Sequence, residues 1–314
     1  MALTKSDIPD LLLPGLRAEF EIAYRSELDT GVAERVATII NTTLPVQKYP
    51  WLGSPPPMRE FLDERRPSGL NAFGTAIEDK VFESSIAVDR RAVEDDQLDL
   101  IRLRVRDLAQ RVAAHRHQIV IEQLASGFAE AAYDGVPFFS NNHPTFAGET
   151  HANVSTSELA DEALKDAIDA MMSVTDDHGV PLGIDPDTLV VGPKLQWTAT
   201  ELLESPVTVY RGNSADTAGA TDYKNVLHGR MRLVVSPFLR GDSADDWFLL
   251  DTKRPVRSVL LQQRSDVPVE FSALEAGSGS ESAWMRDRYF YGVRARYNVG
   301  FGLWQAAFGG RPSL

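Results

Sequence analysis

The 314-residue chain contains no cysteine, which excludes disulfides, thiolate metal sites and thiol nucleophiles together and fits a reducing interior. It also lacks positive charge: 32 Lys and Arg against 45 Asp and Glu leave a net charge of -13. That balance disfavours a surface that binds nucleic acid by neutralising phosphates. Long apolar runs are missing too. Leu11 to Leu13 is too short, and too broken by Pro9 and Pro14, for a signal h-region or a membrane span. The chain is therefore expected to fold in the cytoplasm. There is no Walker A sequence, and Gly300 and Gly302 in VGFGLW lack the strand, third glycine and helix of a dinucleotide fingerprint. No serine sits in a G-x-S-x-G elbow. No cofactor is implied.

Candidates for metal or acid-base chemistry are sparse. His143 and His151 share one loop with Asp134, whereas His115 and His117 are two apart on a helix and face different directions. No metal site is expected from them. Asp134 in YDGVPFF reads as a turn former before Gly135, with Phe138 and Phe139 anchoring the loop on the core. The pairs Asp95, Asp96 and Asp245, Asp246 read as a helix cap and a strand-entry turn. A glycosidase pair is defined by its separation in space, which sequence does not report.

What is present is an arm. Between Tyr49 and Glu83 the chain carries aromatic anchors, three consecutive prolines and charge of both signs. Pro55, Pro56 and Pro57 fix φ and remove backbone donors, which predicts an extended run outside any central strand or helix interior. Trp51 and Phe61 offer apolar area, while Arg59, Glu60, Asp63, Glu64, Arg65 and Arg66 offer ion pairs. Such an arm buries little against its own domain and calls for a protein partner. Lys80 to Val88 alternates as a strand returning from the excursion, which predicts a two-stranded flap.

The rest is mixed, without internal repeats, and its hydrophobic content of 43% supplies a core. Leu16 to Leu28 reads as a helix after Pro14 and Gly15, and Ala37 to Thr43 as a strand. The clearest element is a long helix capped by Asp96, with Leu98, Ile101, Val105, Leu108 and Val112 on one stripe and a glycine stop at Gly127. His115 shares that stripe as a satisfied core or interface residue. Arg102, Arg104, Arg106, Arg111 and Arg116 read as a solvated or subunit-facing surface. A second helix is expected from Glu158 to Ser173, with Ser155 and Glu158 as a capping box. Leu189 to Val191 reads as a buried strand ended by Gly192 and Pro193, and Pro193 opens a helix to Glu204. Strands are expected at Val207 to Tyr210, Met231 to Val235, Trp247 to Leu250, Arg257 to Gln263 and Val267 to Ser272, and in the aromatic tail RDRYFYGVRARYNVGFGLWQAAFGG. Arg211 to Asp222 and Ala273 to Ala283 are flexible by composition.

The order of YPWLG, an arginine-glutamate pair, VFESSIAVDRRAVEDD before a long helix, YDGVPFFSNNHP and the tail YGVRARYNVGFGLWQAAFGG resembles the major head subunit of Mu-like phages and prophages. The likeness spans most of the chain, and the arm departs from the family pattern at Phe61 and Asp63. It implies a major capsid protein of the α+β tailed-phage (HK97-like) fold, which would place an N-terminal arm at 1–46, an E-loop at 47–93, a peripheral domain with its spine helix at 94–154, an axial domain at 155–245, and returning strands with the tail at 246–314. The E-loop residues Trp51, Pro55, Pro56, Pro57, Arg59, Glu60, Phe61 and Arg65 would form a subunit interface. Partners implied are further copies of the chain in hexamers and pentamers, with a scaffold, a maturation protease, a portal and decoration proteins as further candidates. DNA would be enclosed in the virion without sequence-specific binding, and no membrane is involved. Two alternatives remain: another phage structural protein of tail or baseplate, and an enzyme using the 134–151 loop.

Overall fold

The computed structural model describes residues 8–52, 72–89, 91, 98–144, 150–176, 179–210, 221–266, 269–274 and 285–312. Helix α1 (Ile8–Thr30) and the short α2 (Val32–Val36) lead into β1 (Ala37–Thr42). β2 (Val46–Leu52) and β3 (Ala72–Glu78) form a two-stranded flap, and β4 (Lys80–Asp89) returns to the body. Helix α3 (Leu98–Ser126) follows, then the short strands β5 (His143–Pro144), β6 (Thr150–His151) and β7 (Val154–Ser155). Next come α4 (Asp161–Met172), β8 (Thr188–Val191), α5 (Gln196–Glu204) and the β9 (Val207–Tyr210) and β10 (Thr221–Lys224) hairpin. The chain continues through β11 (Arg232–Val235), β12 (Trp247–Leu250), β13 (Val259–Arg264), β14 (Val269–Leu274), β15 (Arg288–Phe301) and β16 (Ala307–Gly310).

Two sheets organise the body. In the first, β1 runs parallel to β13, and the 14-residue β15 pairs with β13 and β14 along one edge and β4 along the other. In the second the order is β11-β8-β12-β16-β7. β8 and β12 are buried at every position and, Thr188 apart, apolar throughout, as the central strands of a covered sheet must be. Helix α3, about 44 Å long at 1.5 Å per residue, joins two cores. Ile101, Val105, Leu108 and Val112 pack with Leu16 and Phe20 of α1 and Tyr291 and Val293 of β15. Val120, Ile121 and Leu124 belong to the larger core around the second sheet, with Trp247 and Phe248.

Several expectations need correction. α1 begins at Ile8 and carries Pro14 inside it; the lost bond falls in the first two turns, and Leu16 and Phe20 hold the remainder against α3. Gly127 follows α3 without a left-handed φ. It is required because a Cβ there would come within 2.9 Å of Phe139. α4 starts at Asp161 with no side-chain cap, since Ser155 is committed to pairing with Gly310 and buried Leu159 keeps the chain extended until then. Arg116 is not on the solvated face: it is buried, donating to the Tyr24 hydroxyl (3.0 Å) and Gln263 Oε1 (2.9 Å), 3.3 Å from Glu34. Arg102, Arg104 and Arg106 are solvated, pairing with Asp99, Asp107 and Glu19. The stretches read as flexible are strand at one end each, Thr221 and Asp222 in β10 and Ala273 in β14, held by pairing with β9 and β15; their remainders, 211–220 and 275–283, and the Asp95, Asp96 cap lie outside the described residues.

Candidate assembly arm and its anchorage

The flap is built by register. β2 and β3 pair antiparallel from Val46 opposite Glu78 to Leu52 opposite Ala72, which sets Pro50 against Gly74 and Trp51 against Phe73. Of the predicted interface residues, Trp51 therefore lies in β2. Pro55, Pro56, Pro57, Arg59, Glu60, Phe61 and Arg65 lie in 53–71, outside the described residues.

The base of the flap is fixed to the first sheet by contacts the sequence does not advertise. Ile77 is buried over β15, and the Asp79 amide donates to Pro45 O at 2.8 Å, closing the flap at its root. Asp79 Oδ1 accepts from Gln262 Nε2 at 2.9 Å, and Oδ2 lies 3.4 Å from Arg296 Nη2. The Tyr49 hydroxyl donates to Gln262 Oε1 at 2.8 Å. Burial, and then the Asp79 carboxylate, push the Tyr49 phenol up to about 12, so it stays a donor at neutral pH. The one sequence signal for this junction is Gln262 itself, an amide following the apolar run Val259, Leu260, Leu261.

The 134–151 loop has a different character. Asp134 does form the turn, with Gly135 at φ +87° and its Oδ1 accepting from the Val136 amide. It has a further partner: Oδ2 lies 2.6 Å from His143 Nδ1. His143 Nε2 faces Phe138 O (3.2 Å) and Asn153 Oδ1 (3.1 Å), and the ring stacks on Trp304 with centroids 3.9 Å apart. Asn153 Nδ2 donates to Phe138 O at 2.9 Å. His143 is wholly buried, so the pair presents no ring atom to a substrate; it ties the loop to the C-terminal turn. Phe138 stacks on Phe301 at 4.4 Å and Phe139 packs on Phe248 at 5.4 Å, anchoring the loop as expected. His151 bonds to Thr175 Oγ1 at 3.0 Å. Asp246 closes the turn into β12 and is ion-paired with Arg311, while its neighbour Asp245 pairs with Lys194. Among the described residues, no group of three or more His, Asp or Glu could hold a metal ion, and no helix is long and apolar enough to cross a membrane.

Comparison with known proteins gives concordant matches. The model of the family described as Mu-like prophage major head subunit gpT matches residues 10–162, 150–239 and 239–314. The Mu-like prophage FluMu major head subunit of Haemophilus influenzae is 22% identical over 300 residues, covering 94% of this chain and 72% of that protein. The major capsid protein of Escherichia phage Mu is 27% identical over 148 residues, 45% of this chain and 48% of that protein. Among solved structures, the procapsid of bacteriophage JBD30 aligns with a TM-score of 0.55 at 25% identity, covering 97% of this chain and 76% of that one.

Proposed function

Because the chain belongs to the Mu-like prophage major head subunit family, with the fold of phage capsid proteins and the role of a major capsid protein, we propose that it builds a closed icosahedral head by laying its flap and the 53–71 segment across a neighbouring copy. The observation that carries this reading is the flap: seven residue pairs of extended chain, rooted in the body at Asp79 and Ile77. Trp51, Pro55 to Pro57 and Phe61 would be buried against the neighbour, while Arg59, Glu60 and Arg65 set register. The flap and β4 would make up the E-loop at 47–93, α3 the spine of the peripheral domain, and 155–245 the axial domain around the shell's symmetry axes.

Several further features belong to the same reading. The function is contact and not catalysis, a view supported by the burial of His143. The net charge of -13 suits a wall that encloses DNA without gripping it, since phosphates near it are repelled or screened. Assembly would occur in the host cytoplasm from hexamers and pentamers, with scaffold, protease, portal and decoration proteins as the remaining partners.

The test is to replace residues 53–71 with a two-residue Asn-Gly turn, which the Leu52–Ala72 pairing can close as a hairpin. The expected product is a folded subunit that forms no shells by electron microscopy. Normal shells from this variant would sink the proposal.

A further inference from the structure

Gln262 is wholly buried in β13, next to an apolar run, where an amide is costly unless both its polar atoms are bonded. Neither bond serves its own sheet. Oε1 accepts from Tyr49 on β2 and Nε2 donates to Asp79 at the end of β3. The Asp79 carboxylate is itself only 2% exposed, and its other oxygen faces Arg296 of β15. The next strand position adds a steric key. Ile77 is seated on Gly300 so closely that a Cβ at 300 would lie 2.7 Å from its Cδ1. Asn298 Nδ2 donates to Glu78 O at 2.7 Å between these two points. A hinge is a place of few buried contacts. This junction is the reverse, with a polar lock and an apolar key from both sides of the flap root.

We propose that this junction is a socket that fixes the direction in which the arm leaves the subunit, making Asp79, Gln262 and Gly300 positioning residues for assembly. The inference rests on the reading that the arm reaches a second copy. In a head-to-tail contact between identical subunits, the rotation relating neighbours decides whether the assembly closes or runs on as an open array. An arm held at one angle by β13 and β15 transmits that rotation from the body of one subunit to the next. Loosening the socket leaves each subunit folded and each arm able to bind, and spreads the angle, so closure suffers while association survives.

The experiment assembles the full chain carrying Asp79→Ala, Asp79→Asn, Gly300→Ala or Tyr49→Phe, and reads particle diameter by electron microscopy beside the unfolding midpoint of the subunit. Asp79→Asn keeps an acceptor for Gln262 but sets its amide nitrogen against Arg296, so it should lose fewer parental shells than Asp79→Ala. Asp79→Ala and Gly300→Ala, one by losing the lock and the other by pushing out the key, should lower the yield of shells of parental diameter by about tenfold, the factor that corresponds to roughly one lost contact per joint. Open or odd-sized assemblies should appear instead. Should either fail to fold, Tyr49→Phe, which removes one hydroxyl, carries the test and should broaden the diameters. Parental diameters and yield from the folded variants would overturn the socket. The 53–71 replacement run in parallel separates the two ideas: if it abolishes shells while the socket variants close normally, only the socket fails; if it forms shells, the arm reading itself fails.

Discussion

The Tyr297 hydroxyl is hydrogen-bonded to Nδ1 of His115 at 2.8 Å, on the side of α3 that faces β15. Burial holds the phenol well above its usual range, so the proton stays on oxygen. Phe82 lies 4.5 Å from the same imidazole. Burial lowers the His115 pKa, with Glu122 opposing, and lowers that of His117, with Glu34 opposing. His117 Nδ1 accepts from the Ala33 amide at 3.2 Å.

Both histidines therefore resist protonation in the fold. As pH falls below about 6.5, the unfolded chain takes up protons that the folded chain refuses. The contribution of the two histidines should be full above that pH and decline below it. His115→Gln keeps a hydrogen-bonding partner for Tyr297 and should remove one proton from the slope, up to about a tenfold change in the unfolding constant per pH unit. Urea midpoints at pH 7.5, 6 and 5 measure it, and equal slopes in parent and variant would assign the titration elsewhere.

The C-terminal strand hangs on a buried ion pair. Arg311 meets Asp246 with two bonds, 2.9 Å from Nε and 2.5 Å from Nη2, and its guanidinium covers Phe128 at 4.0 Å. Asp246 is 1% exposed. Arg311→Ala strands that carboxylate without a counter-charge and should cost about 3–5 kcal/mol. Asp246→Asn combined with Arg311→Met should recover part of the loss. A penalty under about 1 kcal/mol in urea unfolding, the range of a solvated pair, would refute the prediction.

Much of this fold is legible because its signals are local. β8 and β12 announce themselves as short apolar runs, α3 by its stripe from Ile101 to Val112, and β4 by its alternation; the flap does not, because the alternating Lys80 to Val88 pairs with β15 in the body sheet while β2 and β3, which carry no such signal, form the flap. The socket is not legible because Tyr49, Asp79, Gln262 and Arg296 are brought together only by pairing across distant strands. Arg116 misleads for a related reason. Helical spacing groups it with solvated arginines, yet Tyr24 and Gln263, far away in sequence, supply acceptors that let a cation be buried. The Ser155 box fails because strand pairing with Gly310 takes precedence over a cap worth about 1 kcal/mol.

Two glycines should respond very differently to alanine. At Gly302 a Cβ would lie 2.1 Å from the Arg257 carbonyl oxygen, and the Gly302 amide is bonded to Ser258 O at 2.8 Å. Arg257 cannot yield, because its Nη1 holds Glu34 O and Ala37 O and its Nε holds Thr252 O. Gly302→Ala should give insoluble chain. Gly135 has φ +87° but open space around it, so Gly135→Ala should cost only about 1–2 kcal/mol of backbone strain and stay soluble. Equal yields of soluble protein from the two would contradict this reading of the tail.

Tyr49 makes the arm's root sensitive to alkali. In the unfolded chain its phenol ionises near 10, whereas in the fold it is pushed to about 12 by burial and by Asp79. The folded state thus retains a proton that the unfolded state has lost, and the stability this contributes is intact below pH 10 and disappears as pH rises to 12. Ionisation also turns the donor to Gln262 into a second anion beside Asp79, so the socket should open before the cores do. Hydrogen exchange at β2 and β3 between pH 9 and 11.5, compared with β8 and β12, reads this directly. Earlier loss of protection in the flap is expected, and Tyr49→Phe should abolish its pH dependence while leaving a uniformly weaker root. Flap and core strands losing protection together in the parent would show that the root is no looser than the body.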